Sequence, residues 1–234
     1  MKQFLFLLIC FFGINTIAQN QYISFDYEAK YLMPSKKNNT LDTISISFAK
    51  DGSHIFTDSR FLAQGFGLNV FGNGANKTNS NIGLLYTSSK SLLQLNYEMG
   101  DNLMFMKMDI KTLAASRGIE EINGEQLSLQ SEQTDDVNFM GAPRKAYVVF
   151  PSNKPEQIIT ILFDESKPVN NNLLLTNLLT GLLKMNGENV QTNLNLPNGL
   201  ILSILDDKGV NIIEAIDINE VDTKLTINHT FKTN

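Results

Sequence analysis

The chain has 234 residues, of which 42% are hydrophobic, and its formal net charge is −5. A chain of this length can bury a core large enough to fold without cross-links. The acidic balance argues against nucleic acid as a partner, because nucleic-acid binding needs a basic surface. No proline-rich or charged linker divides the sequence, so we expect a single domain over residues 19–234.

Residues 1–18 have the composition of a secretory signal peptide. Lys2 gives a positive start, residues 4–14 form a short apolar run, and Thr16-Ile17-Ala18 supplies small residues at the cleavage positions. We expect cleavage near Ala18-Gln19 and export of the mature protein to the periplasm or the outside of the cell. The apolar run is short for a membrane span, and the sequence predicts no transmembrane span in the mature chain.

Cys10 is the only cysteine and lies inside this leader. A lipoprotein signal would need a small residue directly before its cysteine, but Ile9 occupies that position. We therefore expect Cys10 to leave with the leader, and the mature chain to fold without a disulfide.

The mature part opens with alternating apolar and polar residues, which is typical of strands with one buried face. Residues 22–31 and 43–50 both follow this pattern, and Asp51-Gly52 predicts the hairpin turn that leads into a strand over residues 53–58. The positions expected to be buried are Ile23, Phe25, Tyr27, Ala29, Tyr31, Ile44, Ile46 and Phe48.

Residues 60–80 interleave glycines with large apolar side chains. The glycine spacing fits neither a P-loop nor a dinucleotide-binding turn, and we interpret the segment as a loop over an edge or mouth of the sheet. In a ligand-binding protein it would be a movable lid. Phe66 and Phe71 could close over an apolar opening, and Gly72 would give the backbone its freedom to rearrange.

Strands are predicted at residues 82–88, 91–98 and 103–108, and a short helix at residues 110–117. Alternation places Met104, Met106 and Met108 on one face of their strand. Methionines in this arrangement either fill irregular gaps in a core or line an adaptable apolar pocket.

The second half of the sequence predicts more strands, joined by a loop at residues 133–137 and by hairpins. The strand over residues 157–163 is apolar on both faces, so we expect it to be central and covered on both sides. The other predicted strands lie at residues 126–132, 145–150, 199–205, 210–218 and 223–231.

Residues 170–187 predict the one strong helix, with Asn172 as its N-cap and Gly187 as its stop. Six leucines form its apolar stripe, which needs the sheet as a packing surface. The opposite stripe is almost uncharged, so it is either modestly exposed or also covered inside a concave sheet. The stripe leucines are Leu174, Leu175, Leu178, Leu179, Leu182 and Leu183, and the opposite stripe holds Thr176, Asn177, Thr180, Gly181 and Lys184.

These elements predict a mainly β protein with one or more inserted helices, of the α+β class. We expect a curved antiparallel sheet or open half-barrel of about 11–12 strands around the amphipathic helix.

Four short stretches resemble a family of exported proteins of unknown function from Gram-negative bacteria. They are residues 85–90, residues 106–109, Met140-Gly141 leading into Lys145-Ala146-Tyr147, and residues 196–200. The resemblance implies a fold similar to the periplasmic lipoprotein carriers (LolA-like), an open β-half-barrel around helices. The chain departs from the family at Arg144, where members often carry a cysteine, in its lack of tryptophan, and in the glycine-rich segment near Gly72.

No catalytic motif is found in the sequence, so we expect no catalytic residues, no metal and no cofactor. His54 and His229 are the only histidines, and no further ligands have the spacing of a zinc site. Ser47-Phe48-Ala49-Lys50 matches a β-lactamase-type motif, but it lies in a strand and lacks the partner motifs.

We therefore expect a non-enzymatic protein that binds a lipid or another hydrophobic ligand between helix and sheet. The predicted cavity lining is Leu174, Leu178, Leu182, Met104, Met106 and Met108, and the predicted lid is Phe66, Phe71 and Gly72. The alternative is an interaction or scaffolding module with a self-filled core, whose partner would be another envelope protein.

Overall fold

A computed structural model describes residues 21–34, 41–58, 83–99, 102–110, 127–184 and 189–227. The predicted leader, the lid residues Phe66, Phe71 and Gly72, the helix predicted after Ile110, and His229 lie outside these ranges. Side chains at residues 97–99, 102–104, 182 and 184 are also outside the described part.

The described residues hold thirteen strands, one α-helix with both ends defined and a short 3-10 helix at Ser88–Lys90. The strands are β1 (Gln21–Pro34), β2 (Leu41–Phe48), β3 (His54–Thr57), β4 (Gly83–Thr87), β5 (Leu92–Met99), β6 (Asn102–Asp109), β7 (Leu127–Gln133), β8 (Val137–Phe139), β9 (Ala142–Pro151), β10 (Ile159–Asp164), β11 (Val190–Asn193), β12 (Leu200–Leu205) and β13 (Asn211–Ile227). The helix α1 (Asn171–Lys184) lies between β10 and β11.

The strands form one open sheet. Its order is β11-β7-β9-β10-β12-β13-β1-β2-β3-β4-β5-β6, with β8 beside β9. Neighbouring strands are antiparallel, except that β11 pairs with β7 in parallel. The mainly β class with an inserted helix is confirmed.

The strand count is larger than the predicted 11–12, because two unpredicted strands outnumber the one strand lost where two predicted strands are joined. The strands predicted at residues 210–218 and 223–231 are one continuous strand of 17 residues, β13. Two short strands were not predicted: β8 begins where we expected a loop to end, and β11 was not assigned at all. Each has only 3 or 4 residues of mixed polarity, so its extended state depends on its pairing partner rather than on its own sequence.

The sheet is centred on the pair formed by its first and last strands in the sequence. β1 pairs with β13 from Gln21–Ile227 to Leu32–Glu214, and its other edge pairs with β2. The predicted alternation in β1 is confirmed, because Ile23, Phe25, Tyr27, Ala29 and Tyr31 are all buried.

The predicted central strand is also confirmed. β10 lies between β9 and β12, and Ile161, Leu162 and Phe163 are buried on both of its faces. In its register, Ile161 is opposite Ile204, which is opposite Ile213 on β13. This row packs with Leu175 of α1, so it defines the helix-facing side of the sheet.

The adjacent row of residues points the other way, because successive side chains of a strand alternate between faces. Here Leu162 is opposite Ser203, and Ser203 is opposite Glu214. We call this side the outer face of the sheet.

Candidate functional site

Three consecutive asparagines at the N-terminus of α1, residues 170–172, make different contacts. Asn170 is the N-cap, since its Oδ1 accepts a hydrogen bond from the backbone N–H of Leu173 at 3.2 Å. The predicted cap, Asn172, instead accepts a bond from the backbone N–H of Leu196 at 3.2 Å. The prediction was wrong because each of the three could cap the helix, and only tertiary contacts distinguish them.

Asn171 joins the helix to the loop before β12. It is fully buried, and its Nδ2 donates to the carbonyl oxygens of Pro197 at 2.8 Å and Gly199 at 2.7 Å. The side chain therefore acts as a double donor where two backbone carbonyls would otherwise lose a partner. No pattern in the sequence predicted this role.

Three of the predicted lining residues lie at one core. Leu174 is buried in it, and Leu178 and Met108 are partly buried against it. Met106 is partly buried on β6, opposite Leu95 of β5. Met104 lies on β6 and Leu182 in α1, but their side chains are outside the described part. The core combines residues from several strands with the helix, among them Tyr31, Phe48, Tyr86, Leu93 and Leu200.

Burial changes along the leucine stripe. Leu174 and Leu175, in the first half of α1, are only 1% and 3% exposed. Leu178, Leu179 and Leu183, in the second half, all keep part of their surface exposed. Apolar helix surface therefore remains incompletely covered, and part of it adjoins the core that Met108 contacts.

The opposite stripe of the helix is also partly covered. The Thr180 hydroxyl lies 2.6 Å from the Thr176 carbonyl oxygen and 3.2 Å from the Thr192 hydroxyl of β11. Gly181 is buried, and a Cβ there would lie 2.8 Å from Cδ1 of Ile110, directly after β6. Thr176, Asn177 and Thr180 keep part of their surface exposed, so this uncharged stripe is covered at Gly181 and modestly exposed elsewhere.

The shortest ion pair among the described residues lies beside the N-terminus of α1. Arg144 Nη1 is 2.6 Å from Oδ1 of Asp164, which is almost fully buried. The same oxygen accepts the backbone N–H of Ser166 at 3.1 Å and its hydroxyl at 2.6 Å. Arg144 therefore holds β9 to the end of β10.

A second polar group lies in the hairpin turn between β2 and β3. The Ser53 hydroxyl is 2.7 Å from Nδ1 of His54, and Asp51 Oδ1 accepts the backbone N–H of Ser53 at 2.9 Å. Burial lowers the pKa of His54, although Asp51 partly opposes the shift. These bonds stabilise the turn. The sequence did not predict them, because Asp51 and Ser53 are also ordinary turn residues.

In the described ranges, no three His, Cys, Asp or Glu side chains lie together as a metal site would require. No helix there is long and apolar enough to cross a membrane.

Comparison of the chain with family models, with curated proteins and with solved structures finds no match. The fold itself defines the class: a mainly β protein whose single open sheet packs on one helix.

Proposed function

We propose that this is an exported, non-enzymatic binding protein of the cell envelope. Its sheet curls into an open half-barrel around α1, and a lipid or another apolar ligand binds beside the second half of the helix. The observation that carries the proposal is the change in burial along the leucine stripe, from sealed at Leu174 to partly open at Leu178. The LolA-like resemblance supports the same architecture.

The contacts of α1 with both ends of the sheet support the half-barrel. In a flat sheet, eleven steps of about 4.8 Å would separate the end strands β11 and β6 by roughly 53 Å. A helix is only about 10–12 Å across. Yet Thr180 bonds to β11 while the next residue, Gly181, packs on Ile110 at the end of β6. Both ends of the sheet therefore reach one turn of the helix, which a curled sheet explains.

The proposal is tested by binding of a fluorescent fatty acid, with a dissociation constant expected on the micromolar scale. Leu178→Ala and Met108→Ala remove apolar surface from the proposed site and should weaken binding about tenfold each. Leu173→Ala is the matched control, because Leu173 is partly buried in the same helix but is not part of the core that Leu178 contacts. The control should stay within about twofold of the unmodified protein.

The tight contact between Gly181 and Ile110 favours a second candidate, an interaction module whose core is filled by its own side chains. Extraction of purified protein with organic solvent, followed by mass spectrometry, separates the two candidates. Co-purifying lipid supports the binding protein. Absence of lipid, with no binding of fatty-acid or phospholipid probes by folded protein, would remove it in favour of the interaction module.

Export is proposed from the leader alone and needs its own test. Residues 1–20 fused to a reporter should carry it across the inner membrane, and the mature N-terminus should be at or near Gln19. Retention of the reporter in the cytoplasm would contradict the proposed location without bearing on ligand binding.

A further inference from the structure

The outer face of the sheet carries a groove that the lipid proposal does not use. Its volume is about 480 Å³, and it lies between β8 and the neighbouring ends of β10, β12 and β13. We call it the outer groove. Leu162, Ser203 and Glu214 line it, and these belong to the row that points away from the helix. Its lining shares no residue with the proposed lipid site, although Phe139, Leu162 and Leu205 also pack in the core that contains Leu174.

The floor of the outer groove is apolar, and apolar side chains continue beyond it. Val137, Phe139, Ile158, Leu162 and Leu205 line the floor and walls. Next to them, Val210 and Ile212 at the start of β13 are 55% and 41% exposed, and Val137 itself is 40% exposed. An exposed apolar surface of this kind, with a polar rim, is typical of a protein interaction site.

The rim of the outer groove is acidic. Asp206, Asp207 and Glu214 are among its lining residues, and the described part of the lining contains no lysine or arginine. Asn211 positions one of the carboxylates, since its Nδ2 donates to Glu214 Oε2 at 2.6 Å, while its own Oδ1 accepts the Ser203 hydroxyl at 3.0 Å. The Glu214 carboxylate is thus held at the groove by a hydrogen-bonded chain from the sheet.

Asp206 has a different role. Its Oδ1 accepts the backbone N–H groups of Lys208 at 2.9 Å and Val210 at 2.8 Å, so it shapes the turn between β12 and β13. Asp207 is exposed on that turn. Asp207 is therefore the carboxylate whose charge can be changed with least effect on the fold, whereas a change at Glu214 also removes its bond with Asn211.

We propose that the outer groove binds a segment of another protein in which apolar side chains alternate with lysine or arginine. The apolar residues would lie on the floor, and the basic residues would meet the acidic rim, which is the charge complementarity found at specific interfaces. A second copy of this chain fits poorly, because two acidic rims would repel each other. An anionic membrane is repelled for the same reason.

The probe is a short, labelled peptide that alternates leucine and lysine, measured by fluorescence anisotropy at low salt. Two further peptides are compared with it: one has glutamate in place of lysine, and one has serine in place of leucine. The leucine-lysine peptide should bind best, and added salt should weaken its binding.

Substitutions in the protein then test whether the peptide binds at the outer groove. Asp207→Lys and Glu214→Lys should each weaken binding of the leucine-lysine peptide about tenfold, and Val137→Ser should also weaken it. Asp222→Lys, on an exposed part of β13 outside the groove, makes the same charge change and should leave binding within about twofold. Thermal unfolding of each variant verifies that it is folded.

Three results would overturn the proposal: equal binding of the glutamate peptide, equal weakening by Asp222→Lys, or a dimer in sedimentation that Val137→Ser abolishes. The first would mean contact through apolar groups alone, the second non-specific attraction to an acidic protein, and the third a second copy as the occupant. None of these outcomes bears on fatty-acid binding at the helix.

Discussion

Gly52 and Gly209 have the same left-handed backbone conformation, with φ of +73° at both, but different surroundings. A Cβ at Gly52 would overlap the backbone carbonyl oxygen of Asn170, the helix N-cap, whereas a Cβ at Gly209 meets nothing within 4 Å. The turn between β2 and β3 therefore packs directly against the N-terminus of α1. Asn170 also donates its backbone N–H to the carbonyl oxygen of Lys50 at 3.1 Å, which supports the same contact.

The two glycines allow a matched test of that contact. Gly209→Ala should lower the unfolding free energy by only about 1 kcal/mol, the strain of a left-handed backbone at a residue with a Cβ. Gly52→Ala has the same backbone strain, and its Cβ must also displace the Asn170 peptide. We therefore expect it to lower the unfolding free energy by about 3 kcal/mol or more. Urea denaturation of both variants measures the difference. Equal losses of unfolding free energy in the two variants would show that the turn does not pack against the N-terminus of α1.

Tyr31 makes stability depend on pH in the alkaline range. Its side chain is buried, and its hydroxyl donates to the carbonyl oxygen of Ile201 at 2.7 Å. Burial raises the pKa of Tyr31 above its ordinary value, so the unfolded chain loses the phenolic proton first. The contribution of Tyr31 is therefore complete below about pH 10 and declines above it, by about 1.4 kcal/mol per pH unit.

Tyr31→Phe should remove that part of the alkaline slope. At neutral pH the variant should lose about 1–3 kcal/mol, because the Ile201 carbonyl loses this donor. Burial also raises the pKa of Tyr86 to about 12, so some slope should remain in the variant. Unfolding free energies measured from pH 8 to 11 test this expectation. An unchanged slope in Tyr31→Phe would contradict it.

At the level of elements, two of the asparagines at the N-terminus of α1 should respond differently to the same substitution. Asn171→Asp replaces a double donor by a carboxylate that faces two carbonyl oxygens, and it should cost about 2–4 kcal/mol. Asn172→Asp keeps the acceptor for Leu196 and adds a negative charge near the helix N-terminus, so it should be neutral or slightly stabilising. Chemical denaturation of both variants at pH 7 compares them.

Lowering the pH provides an internal check on Asn171→Asp. Protonation restores a donor on the introduced carboxyl group, so the variant should recover stability relative to the parent as the solution becomes more acidic. Equal stability of the two asparagine variants at neutral pH would mean that Asn171 does not hold the loop before β12.

The sequence predicted elements best where a pattern was long. The alternation over β1 and the leucine stripe of α1 both identified the buried faces, since these faces interact with the core over many residues. The sequence did not predict β11, because this short strand is extended through its pairing with β7, about sixty residues earlier in the chain. The helix cap was misplaced for the same reason.

For the whole molecule, the half-barrel predicts a short distance between the ends of the sheet. Spin labels at Gln191→Cys on β11 and Lys107→Cys on β6 lie at exposed positions. The curled sheet should bring them to about 30 Å or less, whereas a flat sheet would place them roughly 53 Å apart. Double electron–electron resonance measures this range. A distance near the longer value would contradict the half-barrel.

The candidate sites were predicted to different extents. The sequence placed Leu174, Leu178 and Met108 at one core, because each lies on an apolar stripe of its own element. It could not find the outer groove, whose floor combines Val137, Leu162 and Leu205 from three strands. Those residues come together only through the order of strands in the sheet, which is set by long-range pairing.

The pairing of β1 with β13 also sets an order of assembly. Hairpins within β2–β6 and β7–β10 join near neighbours in the chain and can form early, but within the described sheet the two groups are connected through β12, β13 and β1. That junction brings Gln21 opposite Ile227, so it closes one of the longest loops the chain can make and should limit the folding rate. Until β13 arrives, the inner edge of β1 is an open template for pairing with other chains, which makes the incomplete chain prone to aggregation.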